Sequence, residues 1–490
     1  MIIYPTWGRH PYRTSIPDFN QPKYGIIMKR LLSSIAIPII AFCYPFLNNY
    51  TPYIDDLNRG LTGAYAWSPD GRPFSDLIYW VLNFGGIATP IFPAITIVAI
   101  SFLIIIIYMV CKENNLSMLY GLGLSTVVVN PFFSQPMLYK YDSALMIISI
   151  ALTCTCFIKS SRKWMLLSVT LLFISIGMYQ TSIAIYIALS LIEAVYSKST
   201  KNSKEIIKNL YARAMVICAA SISYVLCLKA VSLSSYAQEH SRLIFTGDAS
   251  LIKNNINSFI SLFNSVTTSF SLTSVLIILC VVALVSVVYR AVRSEKKDIA
   301  YFSIIALACP CAAALSIFGI SILLLHPVFE PRVLTASFVF IFFLISVAGY
   351  ILPVFIRYAA VLLLIVLSLS TASVVNYSYL MSIKYNEQVY SSIREITSPD
   401  KVYSLYFYGS PRKSPYVAKV ESKNPISEKI NYNYFSGGLF SDASFNFNGI
   451  NAYTKDPWAK KEPPQICESN AENQLMSACI ESDVIYIKFK

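Results

Sequence analysis

The stretch YIDDLNRG, Tyr53–Gly60, sets two adjacent carboxylates, Asp55 and Asp56, a few residues ahead of Arg59. A helical turn would bring that guanidinium to the face of the acids. An aspartate beside apolar matter can serve as a general base, taking a proton from a hydroxyl nucleophile. Adjacent like charges raise each other's pKa unless a cation intervenes. Arg59 could therefore hold one carboxylate, or grip a phosphate through a bidentate contact. An aspartate pair of this kind can also hold a divalent ion, although no firm ligand set accompanies it.

Other groups could join this pair. Asp142 opens an apolar run within MLYKYDSALM, and Glu330 lies in HPVFEPR, a tight connection between two apolar runs. Acidic groups near a membrane are costly to desolvate and tend to face a cavity or an opposite charge. Asp70, Asp76, Glu239 and Asp248 are expected to be solvated or paired loop residues. The cations near span ends on the same side are Arg59, Arg72, Lys140 and Arg332; Arg72 and Arg332 each stand beside a proline. Gln180 lies in an apolar hairpin, where it is expected to satisfy backbone groups. His326 is expected to be structural or solvated.

These residues need elements to position them, and the composition says which. The chain has 490 residues, 55% apolar and 13% charged, with a mean hydropathy of +0.56. Soluble domains carry nearer one quarter charged residues. Apolar runs near the length that crosses about 30 Å of hydrocarbon recur around 27–47, 90–111, 116–130, 141–158, 164–178, 181–196, 210–230, 272–290, 300–325, 333–351 and 354–376. The fold class is an all-α polytopic membrane protein of about 11 transmembrane helices with a small C-terminal α+β domain. Residues 1–26 form a lead without a cleavable signal, 27–376 the membrane domain, and 377–490 the C-terminal domain.

Lys and Arg fall unevenly among the loops. The N-terminal lead and every second loop hold 19 of them, Arg213 included, and the opposite loops only 7. The positive side faces the cytoplasm, so the N-terminus is expected inside and YIDDLNRG outside, with the tail. The tail, with 13 basic and 12 acidic residues, is nearly neutral. The net charge of +13 thus serves topology and contact with anionic membrane lipids, and nucleic acid is excluded as a partner.

Nine of the 11 cysteines lie in or beside apolar runs, as small buried hydrophobes. Cys467 and Cys479, alone in the tail, are expected to pair as a disulfide in an oxidising compartment. KVYSLYFYG (Lys401–Gly409) and VIYIKF (Val484–Phe489) read as strands, and the Asn-, Gly- and Ser-rich residues between as turns. In the first long loop, 48–89, the segment Ser75–Gly86 is amphipathic but too short to span, and is expected to lie along the membrane surface.

With these features in place, YIDDLNRGLTGAYAWSPDGRPFSDLIYWVLN resembles the first external loop of bacterial Gtr-type glucosyltransferases, which modify O-antigen and convert serotype. NPFFSQPMLYKYDSALM resembles a second element of that family, an aromatic-rich segment leading to an Asp, and GMYQTSIAIYI a third. Order and spacing agree over about 50–190. The resemblance implies a GT-C architecture in the bacterial inner membrane. It implies glucose transfer from undecaprenyl-phosphate glucose to a hydroxyl of lipid-linked O-antigen on the periplasmic face, with inversion. One base suffices, Asp55 or Asp56 by similarity; Asp56 is preferred, with Asp55 orienting it or holding Arg59. Arg59, Arg72, Lys140 and Arg332 would contact the donor phosphate. Asp142, Tyr53, Trp67, Gln180 and Glu330 would line the substrate, and no metal or other cofactor is firmly implied.

Two other classes compete. A polysaccharide flippase or transporter would show internal symmetry and broken helices near the midplane; here the acidic residues gather at one surface and no repeat is apparent. An O-antigen polymerase would carry more basic residues in its external loops.

Overall fold

The computed structural model describes residues 22–242, 249–319, 321–454 and 469–490. Most of the lead, Asp248 and Cys467 lie outside them. Among the described residues, seven helices are long and apolar enough to cross a membrane: Met28–Leu47, Ala94–Glu113, Ser203–Leu228, Leu272–Val292, Lys296–Phe318, Pro331–Ala348 and Val354–Arg394.

The other four expected spans are shorter helices. Met118–Ser125 has 8 residues, Ser143–Thr155 has 13, Arg162–Ile176 has 15 and Ser182–Ser197 has 16. At about 1.5 Å per residue even the longest covers roughly 24 Å. Their sequences explain the shortening. Beyond Ser125 the chain leaves the helix, and the Asn130 side chain accepts the Phe133 N–H to start a 3₁₀ turn at Pro131. Ser143–Thr155 and Ser182–Ser197 are buried on almost every face, the former packed on Ala94–Glu113. Arg213 is not a loop charge: it lies buried within Ser203–Leu228, paired with Glu193 at 2.8 Å.

Val354–Arg394 contains neither Gly nor Pro, and it continues through the expected boundary at 376. Its 41 residues extend roughly 60 Å. Val361, Ile365 and Ala372 pack in the membrane core, and Val389, Tyr390 and Ile393 in the core of the C-terminal domain.

That domain is α+β. Strands β1 (Tyr403–Tyr408), β2 (Ala452–Tyr453), β3 (Ser469–Glu472), β4 (Met476–Glu481) and β5 (Val484–Phe489) form one sheet of order β2-β1-β5-β4-β3. β1 runs parallel to both its neighbours, while β3, β4 and β5 are antiparallel. The two expected strands are β1 and β5. The stretch read as turns also forms the helix Leu439–Phe447, which starts after Gly437–Gly438 and buries Ala443 and Phe445. Cys479, on β4, is disulfide-bonded, and its expected partner Cys467 lies outside the described residues.

Candidate active site

YIDDLNRG folds as expected for its spacing: Asp55–Thr62 is a helix with both carboxylates in its first turn. Ile54 precedes it at φ 44°, ψ −100°, a conformation that β-branched residues rarely adopt. Its N–H donates to Tyr434 Oη of the C-terminal domain at 3.1 Å. Leu57 packs with Tyr434 and Ala443, so the tail braces the loop helix from outside.

The two aspartates face different surroundings. Asp56 is 1% exposed. Its Oδ2 accepts the N–H groups of Tyr53 at 3.1 Å and Lys140 at 2.7 Å, and its Oδ1 that of Tyr141 at 3.3 Å. Burial pushes its carboxyl up to about 7, against the opposing pull of the Lys140 and Tyr53 amides. The Asp55 side chain is 28% exposed and 4.0 Å from Arg59 Nη1. Burial raises its pKa from the ordinary 3.8, while Arg59 and Arg332 pull it down.

Arg59 is held chiefly by Asp142 rather than by the neighbouring pair. Its Nη1 donates to Asp142 Oδ2 at 3.0 Å, and its guanidinium lies 4.3 Å over the Trp67 ring. Arg72 Nη1 donates to Asp142 Oδ1 at 2.8 Å, and Trp67 Nε1 to the same oxygen at 2.5 Å. Burial alone would raise the pKa of Asp142, but Arg72, Arg59 and the indole N–H hold it below 3.8. A carboxylate 1% exposed is thus shared by two guanidiniums. The Asp142 and Arg59 expected as separate substrate and phosphate contacts are one ion cluster with Arg72.

A second cluster forms at the start of Pro331–Ala348. Arg332 Nε pairs with Glu330 at 2.8 Å, and its Nη1 donates to Tyr139 Oη at 3.0 Å. Gln135 links the parts, donating to Glu330 and to Tyr53 Oη and accepting the Arg332 N–H. Gln135 and Tyr139 were not singled out in the sequence; the signal was there, an amide and a phenol in the aromatic-rich segment before Asp142. Tyr434 carried no signal of its own among the many aromatic residues of the tail.

Lys140 has a different character. It is 4% exposed, and its Nζ has no hydrogen-bond partner among the described residues. It lies 4.7 Å from the Phe92 ring centroid. Burial lowers its pKa to about 8, although Asp56 opposes the shift.

The remaining expected contacts are structural in their placement. Tyr53 and Trp67 are fully buried, so neither presents a ring face to a sugar. Tyr53 Oη donates to Ile430 O at 2.8 Å, and Trp67 stacks on Tyr79 with centroids 4.8 Å apart. Gln180 Nε2 donates to Gly71 O at 3.2 Å, satisfying backbone as its apolar setting suggested. Asp76 is no solvated loop acid: it accepts the N–H groups of Trp67 and Ser68 and shapes the loop. The surface segment is the helix Pro73–Leu82, which buries Ser75 and Tyr79 and exposes Leu77, Trp80 and Val81. Among the described residues no three His, Cys, Asp or Glu side chains gather to hold a metal ion.

Comparison with known proteins adds a family. Residues 44–344 match the family described as glucosyl transferase GtrII. The chain is also 28% identical over 254 residues to an uncharacterized 55.3 kDa protein in the gtrB 5′ region of Salmonella phage P22. That alignment covers 48% of this chain and 51% of the phage protein, so the likeness spans about half of each.

Proposed function

Because the chain belongs to the glucosyl transferase GtrII family, we propose that it is an inverting glycosyltransferase of the bacterial inner membrane. It moves glucose from undecaprenyl-phosphate glucose to a hydroxyl of lipid-linked O-antigen. The loop cations favour a cytoplasmic N-terminus, which puts the reaction and the C-terminal domain on the periplasmic side.

In this reading Asp55 is the base and Asp56 a pin. The observation that carries it is the contrast between the two carboxylates. Asp56 is sealed and accepts three backbone N–H groups, whereas Asp55 is partly open and, among the described residues, has only a 4.0 Å contact to Arg59. A base must reach the proton it takes. The acceptor hydroxyl gives its proton to Asp55 as its oxygen bonds to the anomeric carbon. The bond from that carbon to the phosphate oxygen breaks, and its electron pair leaves on undecaprenyl phosphate. Arg332, whose side chain is 22% exposed, meets that developing charge directly. The buried Lys140, whose Nζ has no hydrogen-bond partner among the described residues, adds its positive charge from behind the loop. Arg59 and Arg72 are tied to Asp142 and hold the loop in register.

The test is transfer from synthetic undecaprenyl-phosphate glucose by purified Asp55→Asn and Asp56→Asn proteins, with thermal unfolding measured alongside. Loss of a general base lowers turnover by roughly 100- to 10,000-fold. That loss is expected for Asp55→Asn with an unchanged unfolding midpoint, whereas Asp56→Asn lowers the midpoint. Wild-type turnover in Asp55→Asn rules out Asp55. A loss confined to Asp56→Asn, at an unchanged midpoint, moves the base to Asp56.

A further inference from the structure

The end of the helical bundle opposite Asp55 is built from the Lys- and Arg-rich connections between spans. There Lys159, Lys198, Lys201, Arg290, Arg293 and Arg357 line a cavity of about 1130 Å³. Its acids are Glu113, Glu295 and Asp298. Two are already engaged: Asp298 with Lys198 at 2.8 Å, and Glu295 with Lys297 at 2.6 Å. Among the described residues, no carboxylate lies within ion-pair distance of Lys159, Lys201, Arg290, Arg293 or Arg357. The cavity is therefore cationic and its charge is largely uncompensated.

Two buried polar atoms on its lining, Arg357 Nε and Tyr196 Oη, have no hydrogen-bond partner among the described residues. Buried polar groups are almost always satisfied, so each suggests a missing acceptor or donor. Gly349 makes room for the arginine, since a Cβ there would stand 2.5 Å from Arg357 Nη1. Guanidinium groups match phosphate geometry and bind it strongly.

An apolar groove of about 550 Å³ shares two helices with this cavity. Ser117 and Tyr120 line the cavity, while Met118 and Leu122 line the groove. Val354–Arg394 divides in the same way, with Arg357 in the cavity and Leu362 and Ile365 in the groove. Along Met28–Leu47 the groove runs from Lys29 and Arg30 to Ala41, roughly 17 Å. The helices that carry the cationic cavity thus also carry an apolar groove, the two kinds of surface that the parts of a lipid require.

We propose that this cavity binds the net-anionic, phosphate-bearing headgroup of a membrane lipid on Lys159, Arg290 and Arg357, with the lipid's hydrocarbon in the groove carried by the same helices. Basic pockets between membrane helices bind anionic headgroups in this way. The cavity is somewhat larger than the 300–1,000 Å³ or so of ordinary small-molecule sites, which leaves room for a headgroup. The site lies at the other end of the bundle from Asp55, and its occupancy does not depend on the proposed transfer reaction.

Native mass spectrometry of the full-length protein tests this. Detergent-purified protein is incubated with phosphatidylglycerol, with phosphatidylcholine, or with inorganic phosphate alone. Phosphatidylglycerol is expected to be retained in preference to phosphatidylcholine. Lys159→Gln/Arg290→Gln/Arg357→Gln should bind it roughly 100-fold more weakly, at about fivefold per charge. Arg290→Gln alone, at an exposed position, should lose about fivefold, which keeps the test valid should the triple variant misfold. Equal retention of phosphatidylglycerol by wild type and the variants overturns the site, as does equal retention of the two lipids. Retention of inorganic phosphate with no lipid would overturn the lipid and make the ligand a soluble phosphate.

Discussion

Replacing Asp142 with Asn probes the charge cluster on which the loop depends. In the native cluster one carboxylate faces Arg59 Nη1 at 3.0 Å, Arg72 Nη1 at 2.8 Å and Trp67 Nε1 at 2.5 Å. An asparagine keeps a single acceptor, so its amide N–H₂ must face a guanidinium N–H group or the indole N–H. It also removes the charge that compensates two guanidiniums, with side chains only 6% and 11% exposed. At a separation of about 4 Å and an effective dielectric near 20, one such attraction is about 4 kcal/mol. Breaking a buried pair from one side typically costs about 3–5 kcal/mol. Asp55, 4.0 Å from Arg59, can recover part of the loss. The expected destabilisation is therefore about 3–4 kcal/mol near neutral pH.

Denaturant unfolding of the purified protein in mixed micelles measures this, with Arg72→Gln and the double variant completing a cycle. The double variant should be less destabilised than the two single losses added together, by about 2 kcal/mol. The pH dependence has a definite sign. The folded-state pKa of Asp142 lies below 3.8, so its stabilisation is fully present above that value. It is lost only as pH falls through the lower folded pKa. Destabilisation below about 0.5 kcal/mol, or strict additivity in the cycle, would refute the cluster as the organiser of this loop.

The other predictions are brief. Lys140, lowered to about 8, is charged below that pH and neutral above it, so kcat/KM should fall as pH rises through about 8. Lys140→Arg should remove that alkaline limb, and an unmoved limb excludes Lys140 as its source. Asp55 titrates above 3.8 in the folded protein, so the acid limb should lie above that value and vanish, along with most activity, in Asp55→Asn. At Gly123 a Cβ would stand 2.0 Å from Phe342 Cε2, both residues being buried. Gly123→Ala should cost about 1–3 kcal/mol or more by thermal unfolding, and Phe342→Leu in the same chain should relieve it.

Some of this molecule is legible one residue at a time. Hydrocarbon thickness and the need to satisfy backbone groups internally make long apolar runs into helices, so the seven long spans follow from composition and length. The gathering of Lys and Arg in alternate loops is likewise a property of the chain alone. Asp55, Asp56 and Arg59 announce themselves by type and spacing, and β1 and β5 by their β-branched and aromatic residues.

The division of labour within the site belongs to the tertiary structure. Consecutive residues on a helix point about 100° apart, so two adjacent aspartates can meet different worlds, and nothing in the letters says which. Lys140 and Tyr141, more than 80 residues away, supply the amides that seal Asp56. Asp142, 83 residues from Arg59 and 70 from Arg72, claims both guanidiniums. Tyr434 holds the strained Ile54 from a distance of 380 residues. Burial and pairing set the reactivity of a carboxylate, and both are fixed by neighbours that only the fold brings together.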